Sequence, residues 1–390
     1  MKKILITGAT GFIGSHLVTA FMEEGREVVV LARSKGDQSG WQRMQSRFRW
    51  FQLKGSAIPF CHVVEADISQ PQLGLSPETY RSLLNETREI IHCAANTSFA
   101  DKLRTSVEFA NLEALKHVLK FAREASVDRF HLVSTAFVCP AGMNICNEEM
   151  VKRESFFNVY EETKYKAENE VKRICELSGI PWKIYRPSIV YGNSQNGKTF
   201  RFNGLYYPIK TLWLLKKMFT KDLENGGAHS QKLGVYKDAE GRICFPIELE
   251  AKPHTGINLI PVDYFVKTFL AIFHKEDAGR IHHLTNPHSY SLELLLDYST
   301  RYLHLAGINT RNHLQKSEVQ RNAMEKLFYS YLGEYHHYLT DDRIFDRSQT
   351  DPLLQSLGIH CPPLDYPHFQ KIMDYAMETN WGKSVWPDLA

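Results

Sequence analysis

Tyr160 and Lys164 stand four residues apart in FFNVYEETKYKAENEV (156–171), a stretch that reads as an acidic amphipathic helix. Residues at i and i+4 share one helix face. A free phenol titrates at about 10, and a neighbouring ammonium lowers that value by favouring phenolate. Such a pair can hand a proton to the alkoxide that develops when hydride reaches a carbonyl carbon. The competing reading is two ordinary residues on a solvated face. Spacing does not decide between them, because Tyr206 and Lys210 repeat it in YYPIK. Pro208 disfavours a helix through that second pair. The first pair precedes an apolar run that reads as a strand, so context selects Tyr160 and Lys164.

Ser134 and Thr135 end the run HLVSTAFV. The C-terminal end of a strand faces the crevice where ligands bind in open α/β sheets. Thr135 is placed to bond a carbonyl oxygen and stabilise charge there, with Ser134 as the fallback. Upstream, KKILITGATGFIGSHLVTAFMEEG sets Gly8, Gly11 and Gly14 at GxxGxxG spacing, with a strand before and a helix after. The glycines permit a tight turn and let the backbone approach a pyrophosphate seated on the helix N-terminus. The next strand ends VVVLARSKG. An NAD-selective site carries Asp or Glu there for the ribose 2′-hydroxyl. Here Arg33 takes that place, with Lys35 close by, and a guanidinium suits a 2′-phosphate. The cofactor read from these residues is NADP(H). Asp67, after FCHVVEA, is placed either to bond the adenine edge or to form a turn.

The elements that must carry these groups follow from the hydrophobic pattern. KILIT (3–7), EVVVLA (27–32), FCHVVEA (60–66), EIIHCA (89–94), RFHLVS (129–134) and WKIYRP (182–187) read as strands separated by amphipathic helices. Continuous apolar strands with helical crossovers predict an α/β fold, a doubly wound parallel sheet of the Rossmann kind. The pattern changes after RPSIVYGNSQNGKT and returns over INLIPVDYFVKTFLAIF (257–273) and GRIHHLTN (279–286). The expected division is a nucleotide-binding domain over 1–195, continued by about 256–290. A smaller, mostly helical substrate-binding domain takes 196–255 and 291–390.

Bulk composition narrows the classes. Net charge is +3 over 47 basic and 44 acidic residues, which gives no support for nucleic-acid binding. No apolar run nears the ~18 residues of a membrane span, and the apolar run in MKKILITG is too short for a signal-peptide core. The seven cysteines show no CxxC spacing, which predicts reduced thiols in a cytoplasm. The 17 histidines include no HExxH, so no metal site is expected.

TGATGFIGSHL, HCAANTSF, VSTAFV, YEETKYKAE and RPSIVYG, in this order, resemble the motifs of the extended short-chain dehydrogenase/reductase superfamily. The resemblance covers about residues 1–195 well and INLIPVDYF more weakly. It implies a Thr135/Tyr160/Lys164 active site, with Lys164 also holding the nicotinamide ribose. It further implies cofactor contacts at Gly8, Thr10, Gly11, Phe12, Ile13, Gly14, Arg33, Arg43, Asp67, Ile68, Ala94, Ala95, Asn96, Pro187 and Ile189, besides Tyr160 and Lys164. Within the superfamily, WQRMQSRFRWF, ADISQPQLGLSPETY and IIHCAANTSF look like the thioester reductase and fatty acyl-CoA reductase branch, of the male sterility type. Such enzymes reduce acyl thioesters on coenzyme A or a carrier protein with NADPH, giving an aldehyde or an alcohol. No carrier or adenylation domain is evident in the sequence, so the donor is expected in trans. FVCPAG replaces the Tyr-Gly of sugar-modifying relatives, and Asn111 lacks the Gly that often follows it. The rivals are another reaction on the same fold, namely a nucleotide-sugar epimerase or dehydratase or a sterol-type dehydrogenase, and a non-catalytic NADP-binding sensor or scaffold.

Two stretches carry weaker signals. PIKTLWLLKKMFTK (208–221) reads as a covering helix of the small domain, with an acyl lid, a carrier docking patch or a membrane-surface contact as sharper readings. The aromatics of KLFYSYLGEYHHYLTD read as core or as the lining of an acyl pocket.

Overall fold

The computed structural model describes residues 3–53, 55, 58–142, 145–251, 256–275, 280–312 and 320–385. The early apolar runs become β1 (Lys3–Thr7), β2 (Val28–Ala32), β3 (Cys61–Glu65), β4 (Thr87–His92), β5 (Arg129–Val133) and β6 (Trp182–Pro187). With β11 (Ile281–Leu284) they form a seven-stranded sheet in the order β3-β2-β1-β4-β5-β6-β11. Every pairing in it is parallel. Strand order reverses between β1 and β4, which opens a crevice beyond their C-terminal ends.

Helices cover both faces, as parallel sheets require. On one side α1 (Phe12–Glu23), α2 (Gly40–Phe51) and α9 (Val262–His274) bury Leu17, Phe21, Phe48, Phe265 and Phe269. On the other, α3 (Pro77–Glu86), α5 (Ala114–Glu124) and α6 (Val159–Leu177) bury Leu83, Leu115, Phe121 and Val171. The short α4 (Arg104–Glu108) runs into α5 through a single π turn, Phe109–Glu113. Such turns are often found at functional sites.

A second hydrophobic cluster gathers α7 (Tyr206–Glu224), α10 (Leu292–Leu303), α11 (Ala323–Leu332) and α13 (Tyr366–Glu378) around Phe219, Phe245, Met324 and Phe369. It includes a small sheet that the sequence pattern does not announce. There β9 (Ile243–Ala251) pairs parallel with β12 (Leu305–Asn312) and antiparallel with β8 (Tyr236–Lys237). Pro246 is tolerated in β9 because β8 pairs only with Ile243 and Cys244 and the β12 register shifts between Ala306 and Ile308. The parallel pair β7 (Ile189–Tyr191) and β10 (Leu259–Pro261) joins the two regions. The short α8 (Ala228–Leu233) and α12 (Thr350–Ser356) complete the fold.

One expectation is corrected. Tyr206 and Lys210 do lie in a helix, α7. Pro208 is its third residue, where a backbone N–H has no intrahelical acceptor to lose. Among the described residues, no helix is long and apolar enough to cross a membrane.

Candidate active site

The crevice begins at the glycine turn. Gly8 has φ +72°, and a Cβ there would meet Ala94 N at 2.5 Å. A Cβ on Gly14 would meet Gly8 O at 2.4 Å. Only glycine lets β1, the end of β4 and α1 approach this closely. No side chain caps α1, so its first-turn N–H groups remain for an anion.

Cations converge beside the turn. Ser39 and Gln42 form a capping box that starts α2. From that helix Arg43 donates to Arg33 O (2.7 Å) and Thr10 Oγ1 (2.8 Å), while Arg47 donates to Thr10 O (2.9 Å). Burial lowers the Arg43 guanidinium pKa, with Arg33 adding like-charge repulsion. Burial brings Arg47 down to about 10, helped by the charges of Arg43 and Arg201. The structure brings Arg33 and Arg43, which the sequence singled out, beside Arg47 and Arg201, which it did not. Asp67 takes the turn-forming alternative, its Oδ1 accepting from the Ser69 N–H and hydroxyl. Ile68 packs against the hydrophobic cluster on that face of the sheet.

The catalytic candidates meet at the end of β5. Asn158 caps α6 by accepting from Glu161 N. From this helix Lys164 Nζ donates to Val133 O at 2.8 Å, and Tyr160 lines the same cavity as Thr135, whose hydroxyl donates to Pro187 O at 3.5 Å. Thr135 Oγ1 also accepts from Phe137 N at 3.3 Å. Thr135 holds the position next to the phenol, ahead of Ser134. The wall behind is clamped by Asn111 in the π turn. Its Oδ1 accepts from Asn96 N, and its Nδ2 donates to Asn96 O and Thr163 Oγ1. The sequence showed Asn111 only as a departure from a pattern.

Burial dominates the electrostatics. It pushes Tyr160 up to about 12, the Thr135 hydroxyl opposing and the Glu161 charge adding. It brings Lys164 down to about 8, against the pull of Cys93 and Glu168. The expectation that Lys164 draws Tyr160 below its ordinary value is not met in the protein alone. The ammonium is held by Val133 O, and desolvation of phenolate is the larger effect.

Glu161 ties the C-terminal region to this corner. It pairs with Arg153 (2.5 Å) and Arg343 (3.2 Å) and accepts from Tyr338 Oη (2.8 Å), all buried. Tyr338 and Tyr335 are thereby held over the site, each within 5.4 Å of Phe99. The contacts to Tyr338 and Arg343 span about 180 residues and left no local signal in the sequence.

One continuous cavity of about 340 Å³ runs through the site. Gly8, Gly11, Phe12, Ile13, Gly14, Ala95, Thr135, Tyr160, Pro187 and Ile189 line it. Thr10, Ala94, Asn96 and Lys164 stand behind the wall through the bonds above and through Ala94 N to Thr7 Oγ1. Among the described residues, the buried Ser134 Oγ and Ser188 Oγ at this cavity have no hydrogen-bond partner. Orphaned hydroxyls and a glycine cradle that any Cβ would fill suit a polar ligand such as a dinucleotide. Beyond Tyr160 the lining turns apolar, with Pro208, Ile209 and Leu212 of α7, Leu292 and Leu295 of α10, and Phe328 of α11. Both weaker sequence stretches thus contribute walls. The second Tyr/Lys copy does not form a pair in this site. Tyr206 Oη accepts from Gly192 N, and Lys210 lies over Trp381.

Comparison with known proteins places the chain. Residues 6–269 match the family model described as male sterility protein. A linear gramicidin synthase polypeptide of Brevibacillus parabrevis is 22% identical over 97% of this chain and 7% of its own length. A Drosophila melanogaster protein named provisionally as a fatty acyl-CoA reductase is 26% identical over 70% of this chain and 51% of its own. The chain spans about half or less of the length of these curated relatives. Among solved structures, the terminal R domain from the myxalamid PKS-NRPS pathway superposes with TM-score 0.74 at 23% identity, over 98% of this chain and 92% of that one. UDP-glucuronic acid 4-epimerase from Bacillus cereus superposes with TM-score 0.62 at 18% identity, over 98% and 99%. These superpositions show the shared Rossmann fold. From the family match, this chain belongs to the male sterility protein family of NAD-binding domains.

Proposed function

We propose that this chain reduces an acyl thioester, carried on coenzyme A or a carrier protein, with NADPH. The observation that carries the reading is the position of Tyr160 and Thr135, where a glycine-lined cleft opens into an apolar tunnel. When bound, NADPH supplies the hydride. Thr135 orients the carbonyl oxygen, and Tyr160 donates its proton to the alkoxide that forms there. The hemithioacetal so produced collapses by losing thiol. The same residues then serve an aldehyde, so one site can deliver a second hydride. Lys164 would hold the ribose and steady negative charge near the phenol. The arginines beside Thr10, with no acidic residue at Arg33, favour the 2′-phosphate of NADPH.

The tunnel argues for an acyl chain and against a sugar. A nucleotide sugar would leave its hydroxyls against leucine and phenylalanine, at a cost of unmade hydrogen bonds. Leu295→Trp narrows the tunnel without touching Tyr160. We expect kcat/KM for dodecanoyl-CoA to fall at least about tenfold, as loss of several buried methylenes requires. Acetyl-CoA should stay within about threefold. An equal loss for both chain lengths in a normally folded variant would remove the tunnel from the account.

A further inference from the structure

We propose that Arg201, delivered from the second hydrophobic region, is a ligand for the pyrophosphate bridge of the bound dinucleotide; this rests on the reductase reading above.

The loop that follows β7 turns back over the glycine turn and is pinned there by Phe200. That ring meets Phe12 edge-on at 5.3 Å and Trp50 edge-on at 5.1 Å. Phe12 is the first residue of α1, so the anchor lands on the helix whose N-terminus is open to an anion. Phe200 also carries the Arg47 guanidinium over its face at 4.6 Å. Thr199 Oγ1 accepts from Arg201 N (3.1 Å) and donates to Arg201 O (3.0 Å), which sets the backbone just after the anchor. Arg201 consequently lines the same cavity as Gly8, Gly11 and Phe12. Its side chain is exposed, and among the described residues no carboxylate pairs with it.

The order of the cations points to which phosphate it meets. Arg33 neighbours Arg43, Arg43 neighbours Arg47, and Arg47 neighbours Arg201. Arg33 follows β2, where the ribose 2′-position is read, and Arg43 bridges from Arg33 O to Thr10 of the glycine turn. Arg201 lies on the far side of Arg47 from Arg33, next to Phe200 packed on Phe12 and in the cavity lined by Gly8 and Gly11, which receive pyrophosphate. Like charges crowded this way repel, and an anion between them relieves the repulsion. Because the cation comes from outside the sheet, its contact would also tie the loop after β7 down on the bound dinucleotide.

The test is calorimetric titration of Arg201→Gln with NADPH, NADH, ADP-ribose and 2′-AMP. We expect dissociation constants about tenfold higher for NADPH, NADH and ADP-ribose, the worth of one charge-assisted hydrogen bond. 2′-AMP should be unchanged, and so should KM for the acyl thioester at saturating NADPH. Arg201→Lys keeps the charge and should recover binding to within about threefold. Unchanged constants for every dinucleotide would overturn the proposal. So would a loss confined to NADPH and 2′-AMP, which places Arg201 on the 2′-phosphate. A raised thioester KM with normal dinucleotide binding would overturn it in favour of a donor phosphate. Failure of the wild-type protein to bind either dinucleotide would instead sink the reductase reading itself.

Discussion

Tyr160→Phe should lower kcat for thioester reduction by about a thousandfold while leaving NADPH affinity within about threefold of wild type. General acid catalysis by a positioned side chain contributes roughly a hundred- to ten-thousandfold. Tyr160 is the group whose geometry and proton affinity suit that task. Its pKa, raised to about 12 by burial, keeps the phenol protonated through the physiological range, which a proton donor in the reductive direction requires. The substitution keeps the ring, which packs against Phe99 at 5.8 Å, and removes only the phenol oxygen. The fold therefore survives, and circular dichroism should match wild type. A kcat within tenfold of wild type would show that the proton comes from elsewhere.

Lys164→Met should lower activity by about a hundredfold and, unusually for an active-site change, stabilise the protein at pH 7. The amine lies buried with its pKa down from 10.5 to about 8. Below pH 8 the folded state holds a charged amine out of water. Between 8 and 10.5 the unfolded chain binds the extra proton, so wild-type stability rises with pH across that window. The drop corresponds to about 3 kcal/mol, and leaving Val133 O unpaired returns about 1–2 kcal/mol of it. The variant should thus unfold at higher denaturant by about 1–2 kcal/mol at pH 7, with the margin gone by pH 10.5. If the charged amine is needed, wild-type kcat/KM for NADPH should fall tenfold per pH unit above about 8, and this limb should vanish in the variant. A variant less stable than wild type at both pH values would refute the burial argument.

What the sequence discloses and what it conceals divide along physical lines. β1 through β6 were legible because strands buried on both faces read as unbroken apolar runs. Gly8 and Gly14 were legible because their spacing, between a strand and a helix, implies a close backbone approach. Tyr160, Lys164 and Thr135 sit on elements whose ends the crossover rule sends to one edge, and the structure does bring Tyr160 to Thr135. β9 and β12 were hidden by a proline, a glycine and a register shift. The helix through Pro208 was hidden because a first-turn proline resembles a helix breaker. The ties of Glu161 to Tyr338 and Arg343 depend on contacts across about 180 residues, and no local window contains them. The direction of the Tyr160 shift was hidden for a related reason. Desolvation is a property of the packed site, whereas an i, i+4 lysine is visible in the chain.

Under the proposed function, hydride moves from NADPH onto a thioester carbonyl in this cavity. Wild-type protein incubated with dodecanoyl-CoA and NADPH deuterated at the nicotinamide C4 tests it most directly, with products read by mass spectrometry and free thiol titrated. Deuterium bound to C1 of the aldehyde or alcohol, with one thiol released per chain reduced, is the predicted result. Absence of deuterium from any acyl product, together with turnover of a nucleotide sugar that consumes no net NADPH, would contradict it.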